Sequence, residues 1–204
     1  MRGTALFIGA HPDDIEAGAG GLAAHLAAHR WRVVFFVGTT GASGGPLEVR
    51  IPEQKHAAEI LRAELMWGGF RDGDLPFDRS AIVQLESLLA TLTPRLVVTH
   101  FPNDTHQDHD RLARVAMAAA RRHANVLFFE GPSSLGFQPT MYHVLDKRSY
   151  QRKLDAVAAH SSQLGRTGLY EFVDATARRR GYDSRSGALA EGFVPYRSSV
   201  FLGE

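Results

Sequence analysis

Two short stretches of this 204-residue chain concentrate residue types suited to metal and acid–base chemistry: A-H-P-D-D-I-E-A-G-A-G-G at 10–21 and H-F-P-N-D-T-H-Q-D-H at 100–109. Adjacent carboxylates repel and fill no core, so Asp13 and Asp14 need a reason to stand together. A divalent cation supplies one. Histidine nitrogen and carboxylate oxygen are the usual ligands of catalytic zinc, which keeps an open position for water. His11 and Asp14, separated by a Pro-Asp, can both point into one site from a tight loop, and Pro12 keeps His11 extended. His109, expected at a helix start, is a good third ligand, because the positive end of the helix dipole favours the neutral imidazole that a metal needs. Asp13 can then accept the proton of a water on the metal, and the dication offsets its repulsion by Asp14. His106 lies three residues before His109 with Asp108 between them. Kept protonated beside that carboxylate, it could stabilise an oxyanion or protonate a leaving amine.

The surrounding pattern places both stretches at the ends of strands. Continuous apolar runs at Ala5–Gly9, Val33–Gly38, Leu96–Thr99 and Val126–Phe129, with a weaker one at Leu65–Trp67, read as strands covered on both faces. Between them Leu22–His29, Glu53–Glu64, Ala81–Leu92 and Leu112–Arg122 carry apolar residues at helical spacing. The pattern predicts an α/β fold: a Rossmann-like open, mostly parallel sheet with helices on both faces, strand order 3-2-1-4-5, and strands 1 and 4 as neighbours. The two polar stretches then meet in the crevice where such sheets bind ligands. After Gly131 come an ordered Pro/Gly-containing loop, a strand at Tyr142–Leu145, helices near Tyr150–Ser162 and Leu169–Arg180, and an apolar run at Gly192–Leu202. We read residues 1–204 as a single domain, with a core at 1–131 and a C-terminal α/β extension at 132–204 that shapes the substrate pocket.

Composition narrows the class. Apolar content of 44%, charged content of 22% and a net charge of +1 describe a globular chain with no global field toward nucleic acid or an anionic membrane. The absence of cysteine excludes disulfides and cysteine-ligated zinc and fits a reducing compartment. No apolar run reaches the length of a membrane span, and the N-terminus lacks a secretory pattern, so a cytoplasmic location is expected.

A-H-P-D-D-x-E-x-G-x-G-G after the first strand, together with P-N-D-x-H-x-D-H after the fourth, closely resembles the PIG-L (LmbE-like) zinc-dependent de-N-acetylases. Weaker similarities run along most of the chain: L-E-V-R-I-P-E around Arg50, D-G-D-L-P near Asp72, H-S-S-Q at 160–163 and A-E-G-F-V-P near the end. The resemblance implies removal of an acetyl group from an N-acetylglucosamine-containing small molecule, one Zn2+ per chain and a homo-oligomer. It implies His11, Asp14 and His109 as zinc ligands and Asp13 as general base. It makes His106 a protonated, oxyanion-stabilising histidine oriented by Asp108, and Arg50 a substrate contact; Arg50 follows G-A-S-G-G-P, a flexible, glycine-rich stretch that could act as a lid over a sugar. A His2Asp site also accepts other divalent metals, and the alternatives are an amidase of a larger acyl or thiol-conjugate amide at the same metal site or a non-catalytic, metal-retaining sugar-binding module. Asp72 is a candidate contact to a sugar hydroxyl, and His160 a candidate pocket residue.

Other patterns carry less. Gly18, Gly20 and Ala23 fit a dinucleotide fingerprint, but H-P-D-D occupies the turn that the glycines would need, so they are expected to let a helix pack closely on the sheet. His25 and His29 are spaced i, i+4 without the glutamate of a zincin and are expected to face solvent. Glu16 is expected to support the helix start, and His100 is either a neighbour of the ligands or a plain strand end. His143 has no evident partner.

Overall fold

The structure is a computed structural model that describes residues 2–199, apart from the side chains of 166 and 167. Seven strands form one sheet: β1 (Thr4–Gly9), β2 (Arg32–Val37), β3 (Glu64–Trp67), β4 (Leu96–His100), β5 (Val126–Phe129), β6 (Met141–Val144) and β7 (Ala190–Arg197). Their order is β3-β2-β1-β4-β5-β7-β6. The first five are parallel in the expected 3-2-1-4-5 order, and β7 and β6 extend the sheet antiparallel. The pleat divides β1 between two cores, with Ala5 and Phe7 on one face and Leu6 and Ile8 on the other. Strands buried on both sides need apolar residues throughout, which is why the runs do not alternate.

The helices α1 (Asp14–Ala28), α2 (Leu47–Leu61) and α5 (Lys147–Ala158) cover the Phe7 face, through Ala19, Ala23, Ala57, Leu61 and Ala156. The opposite face is covered by α3 (Arg79–Leu92) and α4 (Gln107–Ala119), with Leu85, Leu89, Leu112 and Val115 buried. Thus α1 leaves β1 toward one face and α4 leaves β4 toward the other, and a crevice opens between two adjacent strand ends. The helices α6 (Ser161–Thr167) and α7 (Leu169–Asp183) complete the C-terminal part. Among the described residues no helix is long and apolar enough to cross a membrane.

Several boundaries depart from expectation. α1 starts at Asp14 rather than Leu22, so the glycine run is helical but broken, with Ala19 at φ −144° and ψ 16°. Lys153 and Glu191 fill the break. Lys153 Nζ donates to the freed Ala17 carbonyl at 2.7 Å and to Glu191 Oε1 at 2.5 Å. Glu191 in turn accepts from the freed N–H groups of Gly21 and Leu22, each at 2.8 Å. The cation thus caps a helical C-terminus and the anion an N-terminus, as the helix dipole favours. Close packing accounts for Gly18, where a Cβ would stand 2.1 Å from the Phe129 ring.

α2 starts at Leu47 rather than Glu53. Proline is most frequent in the first turn of a helix, but Pro52 lies inside this one. Arg50 is therefore on a helix, 3% exposed, and not on a flexible lid. The helix expected at 150–162 is two helices, α5 and α6, with His160 at the corner between them. The last apolar run is strand to Arg197, and its residues beyond 199 lie outside the described residues.

Candidate active site

β1 delivers His11, Asp13 and Asp14 to the crevice, and β4 delivers His100 and, one turn into α4, His109. His11 Nδ1 is 3.2 Å from His109 Nε2 and 3.4 Å from Asp14 Oδ2, and His109 Nε2 is 3.3 Å from Asp14 Oδ1. Ligand atoms about 2.0–2.1 Å from a tetrahedral zinc stand about 3.3 Å from one another. Each pair of the three side chains approaches to about that spacing, Asp14 turning one carboxylate oxygen to each ring. Three overlapping groups (His11, His106 and His109; Asp14, His100 and His109; His11, Asp72 and Asp108) each bring their donor atoms within 4.8 Å of one another.

The far side of each imidazole is held by a carboxylate. His11 Nε2 meets Asp72 Oδ1 at 3.1 Å and Asp108 Oδ2 at 3.2 Å, and His109 Nδ1 meets Asp104 Oδ1 at 3.4 Å and Ser133 Oγ at 3.3 Å. Such partners orient a ligating imidazole and raise its basicity. Asp14 Oδ2 accepts from the His11 backbone N–H at 2.7 Å and lies 3.1 Å from His100 Nε2. The rings of His100 and His106 stack on His109, with centroids 4.1 and 4.5 Å away.

Electrostatics separate the two adjacent aspartates. Burial and the charge of Asp14 push Asp13 up to about 6, against the pull of His160 and Arg50. Burial pushes Asp14 up as well, but His109 and His100 outweigh it and hold Asp14 well below the carboxylate range. Burial works against charge on the His11 and His109 imidazoles too. Asp108, Asp14 and Asp72 nevertheless raise His11 to about 12, and Asp14 with Asp104 raises His109 to about 9. The surrounding carboxylates thus favour positive charge on these two rings.

Asp13 is the N-cap of α1, yet it lies in the left-handed region (φ 92°, ψ −25°) and makes no side-chain cap bond. That conformation costs a non-glycine residue about 1–2 kcal/mol. It turns the carboxylate away from the helix into a cavity of about 370 Å³, also lined by His106, Ser43, Phe129 and Leu169.

A family model described as "PIG-L: GlcNAc-PI de-N-acetylase" matches residues 6–120, which contain both motifs. The chain belongs to the PIG-L deacetylase family. An uncharacterized deacetylase of Escherichia coli (strain K12), YaiS, is 33% identical over 173 residues, covering 77% of this chain and 90% of YaiS. The conserved protein TT1542 from Thermus thermophilus superposes with a TM-score of 0.87 at 27% identity, over 97% of this chain and 96% of its own. The N,N'-diacetylchitobiose deacetylase from Pyrococcus horikoshii superposes with a TM-score of 0.81 over 94% of this chain and 83% of its own. At 22% identity that likeness shows the fold alone.

Within this PIG-L scaffold several residues stand elsewhere than their motif positions suggest. Asp108 does not meet the His106 ring with its carboxylate. It accepts from Gly73 and Leu75 N–H at 2.7 and 3.1 Å and holds His11, while its backbone N–H donates to His106 Nδ1 at 3.2 Å. Burial and the charges of His109 and His11 lower the His106 pKa, against a protonated ring. Arg50 lines the cavity, but its Nη2 donates to Pro12 O at 2.8 Å and Asp13 Oδ2 at 3.1 Å. Asp72 also lines it, accepting from Ser43 N–H at 2.6 Å. His160 is absent from the lining. It is fully buried, 3.8 Å from the equally buried Glu16, because the corner between α5 and α6 turns it inward. His100 lies beside Asp14 and His109 rather than at a plain strand end. His25 is half-buried and in ring contact with both His29 and His143, which therefore has a partner.

Two contributors to the site were given no role by the sequence reading. Asp104, on His109, lies inside the P-N-D-x-H-x-D-H stretch. Gln54 carries no signal, because its reach depends on the early start of α2.

Proposed function

We propose that this chain hydrolyses the N-acetyl group of an N-acetylglucosamine-containing small molecule, releasing acetate and the free amine. The reading assigns His11, Asp14 and His109 as ligands of one Zn2+. The observation that carries it is the 3.2–3.4 Å approach of the His11 and His109 ring nitrogens to one another and to the two Asp14 carboxylate oxygens, with the Asp13 carboxylate turned into the same cavity. A divalent cation held there supplies a Lewis acid that polarises the amide carbonyl and makes water acidic near neutral pH.

The chain's own residues do the rest. Asp13, raised toward neutrality, accepts the proton of the attacking water as that oxygen bonds to the acetyl carbon. His106 accepts the Asp108 N–H at Nδ1, so the neutral ring carries its proton on Nε2. That N–H is a donor for the oxyanion that develops on the carbonyl oxygen. A neutral imidazole is a poor acid, so Asp13 returns its proton to the nitrogen as the C–N bond breaks. The cavity suits one sugar ring. Asp72 and Ser43 offer polar contacts, and Ala17, Phe129 and Leu169 form an apolar wall for the acetyl methyl. Leu169 and Gln163 come from residues 132–204, consistent with a substrate-shaping role for that extension.

Acetate release from a panel of N-acetylglucosamine conjugates, with zinc, tests the reading. Wild type should turn over. Asp13→Asn should keep the metal and lose about 10²–10⁴-fold in kcat, and His109→Ala should lose both metal and turnover. Full activity in Asp13→Asn would place the base elsewhere.

A further inference from the structure

An aspartate at a helix N-cap ordinarily sits in extended backbone conformation, with its carboxylate accepting from the helix N–H groups two or three residues on. Asp13 starts α1 in the usual way, its carbonyl accepting from Ala17 N–H at 2.9 Å, but its backbone is left-handed and its carboxylate caps nothing. Something must hold it off the relaxed geometry, in which the carboxylate would be bonded to the helix and lost to the cavity.

The grip comes from α2. Arg50 and Gln54 stand one turn apart on the same helix face. Arg50 Nη2 donates to Pro12 O, and the Asp13 N–H donates to Gln54 Oε1 at 3.2 Å, so the peptide between Pro12 and Asp13 is held at both its oxygen and its nitrogen. Gln54 is itself fixed, because its Nε2 donates at 2.7 Å to Glu16 Oε1 and both side chains are fully buried. The position needs one acceptor and one donor together, which a primary amide provides. A glutamate here would oppose Glu16, and a methionine offers neither group.

We infer that Gln54 is a positioning residue for Asp13: it holds the left-handed turn that aims the Asp13 carboxylate into the cavity. The inference rests on the assignment of Asp13 as the base, but the turn itself can be tested without turnover. In Gln54→Met, amide exchange at Asp13 should accelerate and a crystal structure should show Asp13 relaxed to extended N-cap geometry, with zinc affinity by chelator competition unchanged. In kinetics, kcat should fall about 100-fold at constant KM, the scale of a misplaced group. Combined with Asp13→Asn, Gln54→Met should cost nothing further, because the residue it positions is already gone.

A swap guards against a variant that fails to fold. Gln54→Glu alone should lose activity, whereas Gln54→Glu with Glu16→Gln restores one donor and one acceptor and should recover most of it. An unchanged Asp13 conformation in Gln54→Met would overturn the inference, as would an equal loss in the Asp13→Asn background or no recovery in the swap. A wild type inactive on every acetylated sugar, with the turn relaxing in Gln54→Met as described, would instead overturn the assignment of function and leave the clamp standing.

Discussion

The first half of α1 has buried charge at both ends, and the two ends are built differently. At the break, Lys153 and Glu191 are each 3% exposed and direct their polar atoms at one another and at three freed backbone groups. At the helix start, Glu16 Oε2, both ring nitrogens of His160, Nε and Nη1 of Arg50 and Nδ1 of His100 are buried without a hydrogen-bond partner. The adjacent Asp13 and Asp14 there are shifted in opposite directions. A buried pair whose geometry closes on itself is architecture. A cluster that leaves polar atoms unmatched and pushes like charges together is costly, and such costs are tolerated where a ligand completes the arrangement.

The sharpest way to break the comparison is Lys153→Met, which strands a buried carboxylate. The expected loss is about 3–5 kcal/mol of folding stability, read from urea unfolding, with zinc affinity of the folded protein unchanged. Adding Glu191→Gln should recover part of the loss, because no uncompensated charge then remains. A collapse of metal affinity with stability intact would make the break part of the site and erase the distinction.

A smaller effect should come from the site end. Asp104→Asn removes the carboxylate behind His109 Nδ1 but leaves all three donor atoms in place. Zinc affinity should weaken about 10–100-fold, the usual scale for a group that orients a ligand, and the loss of folding stability should be well below that of Lys153→Met. If affinity held and stability fell, Asp104 would belong with Lys153 and Glu191 as architecture. Its link to the 131–134 loop through Ser134 Oγ at 3.1 Å gives that alternative a definite basis.

The same division explains what could be read from the chain alone. Strands buried on both faces announce themselves as uninterrupted apolar runs, so β1, β2, β4 and β5 and their order were legible. The two polar stretches were legible because few structural roles call for H-P-D-D or H-x-D-H at a strand end. Helix starts were not. The glycines of α1 were expected to let a helix pack closely, but the break among them was not legible, because the Lys153–Glu191 pair that fills it is more than 130 residues away in sequence. The glycine-rich stretch before Arg50 read as a lid, and the start of α2 at Leu47, ahead of Pro52, places Arg50 and Gln54 on one helix face instead. Asp108 read as the partner of His106 because sequence shows adjacency and not direction. Its carboxylate turns to Gly73, Leu75 and His11, and only its backbone N–H faces the ring.

The smallest and most diagnostic effect is one of pH. In protein freed of metal by chelation, the His109 imidazolium is stabilised by Asp14 and Asp104, against burial, to a pKa of about 9. A folded-state pKa raised above the unfolded histidine value of about 6.5 contributes stability that is fully present below that value and is lost as pH rises through about 9. Asp104 carries the opposite sign. His109 and hydrogen bonds to Ser133 and the His106 backbone, working against burial, hold it below the carboxylate range. Its contribution is present above the unfolded value of about 3.9 and is lost as pH falls below it. Chelated protein should therefore be most stable between these limits, with Tm declining from pH 6.5 to 9. Zinc-loaded protein should lack the alkaline decline, because a ligating imidazole has already given up its proton, and zinc binding at pH 7 should release protons, measurable by calorimetry in buffers of different ionisation enthalpy. A chelated protein with a flat Tm across that range would mean that the triangle of His11, Asp14 and His109 is held by packing, as Lys153 and Glu191 hold the helix break, and not by the charge it is built to carry.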